Sequence, residues 1–146
     1  MAPIYFYSTI EAYSFLSNFS PHGFELDGRY WPTAEHYYQA QKFAGSGYAE
    51  TIRRAATPHE AKELSLSPEQ PVRPDWEQIK VDVMRRAVLA KFTTHAGLRE
   101  ALLATGDEDL IEAAPDDYFW GGGRDGTGQN MLGRLLMELR SALREE

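Results

Sequence analysis

The stretch that decides the fold is RYWPTAEHYYQAQKF, residues 29–43. Thr33 directly follows Pro32 in this stretch, and this start signal predicts a helix over residues 33–43. A second dense stretch is PDDYFWGGGRDGTGQNMLGRLLMELR, residues 115–140. Both stretches place acidic groups among aromatic rings. This combination is typical of a site that holds a flat polar ring and moves a proton to or from it.

The composition indicates a soluble globular domain. The chain has 146 residues, of which 42% are hydrophobic and 25% charged, as in an ordinary single domain. It has no cysteine, which excludes disulfides, thiolate nucleophiles and cysteine zinc sites and suits a reducing cytoplasm. No segment resembles a targeting signal or approaches the ~20 apolar residues of a membrane span. We therefore expect one cytoplasmic domain over residues 1–146 that has no contact with a membrane.

The net charge of the chain indicates which kinds of partner it can bind. A formal net charge of −7 argues against broad electrostatic binding of nucleic acid, because such binding depends on many lysine and arginine contacts to phosphates. A local basic pocket is compatible with this charge. Aromatic residues make up 12% of the chain, with eight tyrosines and three tryptophans, which is enough for a stacking site besides a core.

The remaining pattern predicts an α+β fold, mostly helical, with a small antiparallel β-sheet. Strands are expected over residues 4–7 and 110–111, and a hairpin over 23–31 around the Asp27-Gly28 pair. Helices are expected over residues 48–56, from the capping box at Thr57, over 76–93 after Asp75, and over 96–104 and 130–144. Three prolines between residues 64 and 74 predict a surface loop.

Four polar positions of the helix over 33–43 share one face. Residues three and four apart are neighbours on a helix, which places Glu35, Tyr38, Gln39 and Lys42 in one stripe. A first-turn carboxylate also stabilises a helix through its dipole, which is the alternative explanation of Glu35. Because a solvated face rarely uses tyrosine so freely, we interpret Glu35 and Lys42 as candidate catalytic residues and Tyr38 as a candidate substrate contact.

The histidines do not predict a metal site. His36 lacks a second histidine at the spacing that ligand pairs use on a helix, and His22, His59 and His95 stand apart in the sequence. We therefore expect no metal ion and no cofactor.

The glycine-rich stretch predicts a slot for a planar ligand. A large ring at Trp120 beside Gly121 and Gly122 leaves space in which such a ligand can stack. The following GTGQN segment would present backbone N–H groups and Asn130 to an anion or a ribose at the start of the last helix. Asp116 and Asp117 precede the aromatic run, although aspartate after proline is also common in turns.

Two smaller sets are further candidate substrate contacts. Ser17 and Asn18 lie between apolar anchors, as in a loop that presents hydrogen-bonding groups to a pocket. Arg73, Trp76 and Lys80 cluster at the start of the long helix and suit a phosphate and a base, although charges at an exposed helix end are common.

The chain resembles the YbiA-like or NADAR family across nearly its whole length. The resemblance is carried by FLSNF, TAEHYYQAQKF, an Arg-x-x-Trp with a lysine four residues on, KF, TGD and DYFWGGGRDGTGQNMLGRLLMELR. It implies a largely helical α+β domain that acts on N-glycosidic bonds of ribose phosphates. Members resembling YbiA hydrolyse early pyrimidine ribosylamine-phosphate intermediates of riboflavin synthesis, and others remove ADP-ribose from modified guanine in nucleic acid. The family's functional positions fall on Glu35, Lys42, Asp117, Trp120 and Asn130.

We therefore predict an N-glycosidase that cleaves the C1′–N bond of a phosphorylated ribosyl compound. Glu35 and Asp117 would supply a carboxylate near C1′ and an acid near the base, and Trp120 would stack on the base. Lys42 permits a second route, in which its neutral amine attacks C1′ and forms a Schiff base, and the sequence does not choose between the two.

Three rival functions stay open at this stage. The first is an ADP-ribosyl glycohydrolase that acts on guanine in DNA. The second is a module that binds ADP-ribose or NAD without turnover, and the third is a structural protein whose aromatic residues all belong to the core. The expected partner is a small ribosyl-phosphate or ADP-ribosyl substrate, and no obligate protein partner is predicted.

Overall fold

The computed structural model describes residues 2–7 and 11–146. It confirms a mostly helical α+β fold with few, short strands. The elements in chain order are β1 (Ile4–Phe6), a 3-10 helix (Ser14–Leu16), β2 (Phe24–Leu26), β3 (Arg29–Trp31), α1 (Ala34–Gln41), α2 (Gly47–Arg53), α3 (Pro58–Leu64), α4 (Trp76–Thr94), α5 (Ala96–Ala104), β4 (Leu110–Glu112) and α6 (Met131–Arg144). Within the described ranges, none of these helices combines the length and the apolar character that crossing a membrane requires.

The chain divides into two compact units. We call Pro21–Thr94 the central unit, and Met1–Ser20 together with His95–Glu146 the terminal unit. The central unit contains β2, β3 and α1 to α4, and the terminal unit contains β1, the 3-10 helix, α5, β4 and α6. The assignment of residues 1–146 to one domain stays a prediction.

The predicted hairpin is confirmed in the central unit. Strands β2 and β3 pair antiparallel, with Phe24 opposite Trp31. Asp27 and Gly28 between them have φ values of 56° and 78°, and two positive φ values are what the favoured two-residue hairpin turn requires. The Tyr37 hydroxyl donates to Asp27 at 2.7 Å, and Arg86 of α4 forms an ion pair with the same carboxylate. The turn is thereby attached to both α1 and α4.

Helix α1 is the centre of this unit. Thr33 caps it by accepting a hydrogen bond from the backbone N–H of His36 at 3.1 Å, as the sequence predicts. The helix ends at Gln41, two residues before the predicted end. Residues 34–40 are all buried, and α1 packs against α2, α3 and α4. Its polar side chains must therefore find partners inside the protein.

His36 is one of these buried polar residues, and its role is structural. Its side chain is 1% exposed, and its Nε2 donates to the carbonyl of Ala55 at 3.0 Å. Because a carbonyl only accepts, Nδ1 of the neutral ring is left to accept from the Thr33 hydroxyl, 2.8 Å away. Burial lowers the pKa of His36, which favours this neutral form.

The capping box at Thr57 is present in modified form. Thr57 accepts from the N–H of Glu60 at 3.0 Å, and Pro58 occupies the first position of α3. The Glu60 carboxylate accepts from the N–H of Ala56 at 3.3 Å, one residue upstream of the partner that a standard box uses. Helix α2 runs over Gly47–Arg53, so it begins one residue before and ends three residues before the prediction.

Helix α4 buries a lysine that the core pattern does not predict. Lys91 is 1% exposed, and its ammonium nitrogen lies 5.2 Å from the centre of the Phe92 ring. Burial lowers the pKa of Lys91 to about 7, because the charged form loses its hydration in the interior. Below this pH Lys91 is therefore protonated in the folded protein, and its positive charge is buried on the core-facing side of α4.

Lys91→Met is expected to raise the free energy of unfolding at pH 6 by about 1–2 kcal/mol, because a buried charge is replaced by an apolar side chain of similar length. In the unfolded chain this lysine keeps its proton up to its ordinary pKa of 10.5. The penalty is therefore fully present below about pH 7 and is relieved as the pH rises from about 7 toward 10.5. Urea unfolding at pH 6 and pH 9 measures the gain, which should be smaller at pH 9. An equal or larger gain at pH 9 would contradict the buried-charge explanation.

In the terminal unit, the pairing of β1 with β4 corrects the predicted sheet. The two strands run parallel, with Tyr5 opposite Ile111, whereas the sequence predicts only antiparallel pairing. A parallel pair needs a long connection, which residues 7–109 supply here. Helix α6 packs on β4 and α5 with one apolar face, whose buried leucines are Leu132, Leu135, Leu136, Leu139 and Leu143.

Candidate active site

The polar stripe of α1 is confirmed as a buried cluster in the central unit. Gln39 donates from Nε2 to Oε2 of Glu35 at 2.7 Å, and the two residues are 5% and 6% exposed. Lys42 Nζ lies 5.9 Å from the centre of the Tyr38 ring, whose residue is also 6% exposed. A carboxylate, an amide, a phenol ring and an amine therefore line one face of α1.

Lys42 is the reactive candidate of this cluster. It is half-buried, and desolvation lowers its pKa, helped by the positive charges of Lys62 and Lys80. Glu35 and Glu77 oppose this effect, but desolvation is the largest contribution. A lysine with a lowered pKa has a larger fraction of neutral amine near pH 7, and the neutral amine is the nucleophilic form.

A cavity of about 260 Å³ lies beside Lys42, within the central unit. It is lined by the end of α1 and by the proline-rich loop before α4: Lys42, Phe43, Ala44, Ser46, Gln70, Pro71, Val72, Arg73 and Pro74. The backbone N–H of Arg73 donates to the Lys42 carbonyl at 2.9 Å, which holds this loop against the end of α1. Two cationic residues thus border a small, mostly apolar space.

Arg73, Trp76 and Lys80 have partners of their own. The Arg73 guanidinium makes two hydrogen bonds to Asp75, at 2.6 and 3.0 Å, which lower the pKa of that carboxyl group. Lys80 donates to Glu77 at 2.7 Å. Trp76 is 6% exposed and packs on Tyr38 with ring centres 5.1 Å apart, which leaves little ring surface for the predicted contact with a base. The phosphate role of Arg73 and Lys80 stays a prediction.

Asp117 organises the aromatic run of the terminal unit. Its Oδ1 accepts from the N–H groups of Phe119 and Trp120, at 3.0 and 2.8 Å. One carboxylate oxygen of Asp117 therefore stabilises a turn. This agrees with the alternative explanation, in which aspartate after proline is a turn residue. Trp120 is half-buried and meets Phe119 edge to face, with ring centres 4.9 Å apart. The catalytic roles of Asp117 and Trp120 stay predictions.

The glycines after Trp120 have close neighbours within the terminal unit, and the predicted ligand slot stays a prediction. A Cβ on Gly121 would lie 2.9 Å from the carbonyl oxygen of Glu112, and the Gly122 N–H donates to that same carbonyl at 2.8 Å. The ring of Tyr118 occupies the space where Gly123 would carry a side chain. These glycines therefore allow the loop to pack on β4 and on its own tyrosine, which explains them without a ligand.

The predicted anion contact at the start of α6 is corrected. The N–H groups of residues 129–132 donate to carbonyls of the preceding aromatic loop at 2.8–3.1 Å. Asn130, at a φ of 51°, donates from Nδ2 to the Leu110 carbonyl at 2.9 Å and accepts at Oδ1 from the Glu112 N–H at 3.0 Å. Its side chain therefore fixes the start of α6 to β4, and a substrate contact of Asn130 stays a prediction.

Ser17 and Asn18 lie buried after the 3-10 helix of the terminal unit, at 3% and 8% exposure. Ser17 Oγ accepts from the N–H of Phe19 at 3.1 Å, which is a local turn contact. Their predicted contact with substrate is untested. In the part of the chain that the structure describes, no group of three or more histidine, aspartate or glutamate side chains is placed to hold a metal ion.

Trp120→Ala is expected to weaken ligand binding by about 1–3 kcal/mol if its ring stacks on a base, the scale measured for base–aromatic stacking. Calorimetric titration with the ligand and a melting curve on the same samples separate two outcomes. Weaker binding at a nearly unchanged melting temperature supports stacking. A lower melting temperature with unchanged affinity per folded molecule would show that Trp120 only packs against Phe119.

Comparisons with known proteins agree with this fold and with the family that the motifs resemble. The family model described as NADAR domain matches residues 5–144. An N-glycosidase of Nostoc punctiforme is 51% identical over 144 residues, covering 97% of this chain and 92% of that protein. The riboflavin biosynthesis protein PYRR, chloroplastic, of Zea mays is 45% identical over 155 residues, covering 96% of this chain and 25% of that protein. The NMR structure of the Escherichia coli protein YbiA superposes with a TM-score of 0.90 at 47% identity, covering 98% of this chain and 85% of that one.

These matches and the fold define an α+β enzyme of the N-glycosidase class, a hydrolase of N-glycosyl bonds. The chain belongs to the NADAR family.

Proposed function

We propose that this N-glycosidase hydrolyses the C1′–N bond of phosphorylated ribosyl compounds, such as the pyrimidine ribosylamine phosphates of riboflavin biosynthesis, and releases ribose 5-phosphate. The name of the maize relative supports this substrate class. The observation that carries the proposal is the buried Glu35 carboxyl group, which accepts from Gln39 at 2.7 Å and interacts electrostatically with the half-buried Lys42. We place the reaction in the cytoplasm, in keeping with a sequence that has no cysteine.

Glu35 suits the role of a carboxylate near C1′. Cleavage of a glycosidic bond builds positive charge on C1′ and its ring oxygen, and a fixed carboxylate stabilises that charge best where water is excluded. Glu35 is 6% exposed, so its carboxyl group acts in such a surrounding. Without this charge the positive charge that develops at C1′ would lose that stabilisation.

Lys42 supplies the nucleophile in our preferred route, because its lowered pKa favours the neutral amine. The amine attacks C1′, the C1′–N bond to the base breaks, and the base leaves with the electron pair and takes up a proton. The new ribosyl-lysine opens to an imine, with the ring oxygen becoming the 4′-hydroxyl group. Water then adds to the imine carbon and the amine leaves, which regenerates Lys42 and releases ribose 5-phosphate.

For Asp117 and Trp120 we propose the roles that the family resemblance implies: an acid for the departing base and a ring that stacks on it. Asp117→Asn tests the acid role, because asparagine keeps the Oδ1 acceptor for the N–H groups of Phe119 and Trp120 but has no carboxyl proton to donate to the base.

The deciding experiment offers the purified protein two substrates in parallel: the pyrimidine ribosylamine phosphates, and DNA that carries ADP-ribosylated guanine. We expect free ribose 5-phosphate from the first, detected by mass spectrometry, with Glu35→Gln as the inactive control. Release of ADP-ribose from the DNA alone would reassign the substrate to ADP-ribosylated nucleic acid. Binding of ADP-ribose or NAD without any turnover would make the protein a binding module.

A further inference from the structure

Gln39 combines one strong hydrogen bond with one missing bond. The residue is 5% exposed, and its Nε2 donates to Glu35 Oε2 at 2.7 Å. Its Oε1 is buried, and no donor among the described residues reaches it. A buried acceptor without a donor destabilises a protein, because its hydration is lost and nothing replaces it. An apolar side chain at this position would avoid that loss.

The donor end of the amide explains why glutamine is present. Nε2 and Oε1 belong to one rigid group, so a side chain that directs Nε2–H at Glu35 must also bury Oε1. An N–H donor at this distance favours the ionised form of a carboxyl group and restricts its rotation. The same amide therefore leaves one oxygen unsatisfied and holds the Glu35 carboxyl group in one orientation.

We propose that Gln39 is a positioning residue that holds the Glu35 carboxylate ionised and correctly oriented for cleavage of the glycosidic bond. This inference rests on the function proposed for Glu35. Gln39 acts through its hydrogen bond to Glu35, so its loss should affect the catalytic step more than the binding of substrate.

Other charged groups lie around Glu35 and Gln39, and their titration also contributes to the pH dependence of kcat. Lys42 directly follows α1 as its C-terminal cap and interacts electrostatically with Glu35. On the elements packed against α1, α3 contributes Lys62, and α4 contributes Glu77 and Lys80. A separate cluster surrounds Glu50 of α2 and consists of Arg29 of β3, Arg53 of α2 and Arg54, which directly follows α2. None of these groups is changed by a substitution at Gln39.

Gln39→Met tests the proposal, because methionine has similar length and flexibility but neither a donor nor a comparable acceptor. Gln41→Met is the matched control: it makes the same exchange two residues further along α1, on a half-buried side chain. We expect Gln39→Met to lower kcat by about tenfold to a hundredfold, the range for a hydrogen bond to a charged group, with KM changed less than about threefold. We also expect the acid limb of the kcat profile to move to higher pH, whereas Gln41→Met leaves kcat and the limb unchanged.

A titration of the carbon-13 carboxyl resonance of Glu35 gives a second readout that needs no substrate. In Gln39→Met this resonance should titrate at higher pH than in the wild type, in step with the kinetic limb. An unchanged titration and an unchanged acid limb, with only a lower melting temperature, would overturn the proposal. If the wild type hydrolysed no ribosyl phosphate while the resonance still shifted, the proposed function would fail and the control of Glu35 by Gln39 would stand.

Gln39→Glu keeps the proposal testable if the methionine variant does not fold. It places a second carboxyl group at hydrogen-bond distance from Glu35, and two such groups resist simultaneous ionisation. The acid limb should then move further toward neutral pH than in Gln39→Met. An acid limb at the wild-type position in this variant would also overturn the proposal.

Discussion

Glu35→Gln is expected to keep its fold and lose at least about a hundredfold of turnover, the usual scale for a single acid-base or electrostatic group. Glutamine retains an oxygen that accepts from Gln39 Nε2, so the buried contact of 2.7 Å survives in the variant. What disappears is the negative charge that stabilises C1′ as the bond to the base breaks. Initial rates of ribose 5-phosphate release, with melting curves on the same samples, measure both quantities.

The matched control for this prediction is Glu63→Gln in the same unit. Glu63 lies on the exposed side of α3, and its pair with His59, at 3.0 Å, is exposed to solvent, so the same exchange should leave turnover unchanged. Turnover of Glu35→Gln close to that of the wild type would remove the catalytic role of Glu35. The residue would then be a buried first-turn carboxylate that serves α1 alone.

Lys42→Arg is expected to abolish turnover and covalent trapping together. Borohydride added during turnover should reduce the imine of the wild type to a stable secondary amine, and mass spectrometry should find the sugar attached to Lys42. Arginine keeps the positive charge but has no amine that attacks C1′ at neutral pH. Desolvation, which lowers the pKa of Lys42, is what makes its amine available.

Lys62→Arg is the control for the field around Lys42. The positive charge of Lys62 contributes to lowering the pKa of Lys42. Because arginine preserves this charge, trapping and turnover should both persist in the variant. An active Lys42→Arg enzyme together with no adduct in the wild type would exclude the lysine route. Glu35 would then act on a sugar attacked directly by water.

The local features of the fold could be predicted from the sequence because short-range chemistry decides them. The Asp27-Gly28 pair predicts its hairpin, since few other residues accept two successive positive φ values. Thr33 and Thr57 predict the starts of α1 and α3, because the side-chain cap lies within three residues of its donor. The stripe that joins Glu35 to Lys42 follows in the same way from the helical repeat.

Contacts between distant segments were decided only by the tertiary structure. The parallel pairing of β1 with β4 joins strands separated by residues 7–109, and no local pattern encodes that register. The close approach of Tyr118 and of the Glu112 carbonyl to the glycine-rich loop is a contact of this kind, and the sequence alone does not predict it. The backbone N–H groups at the start of α6 are likewise taken by the loop's own carbonyls.

The sequence by itself therefore determined the family, the class of fold and the helix that carries Glu35 and Lys42. It did not determine how much water reaches those groups, because burial depends on packing between elements far apart in the chain. Packing between elements produces three of the features described above: the desolvation of Lys42, the 2.7 Å hydrogen bond between Gln39 and Glu35, and the buried charge of Lys91. Residue type and spacing predict which groups can react, and the packing around them decides their protonation and orientation.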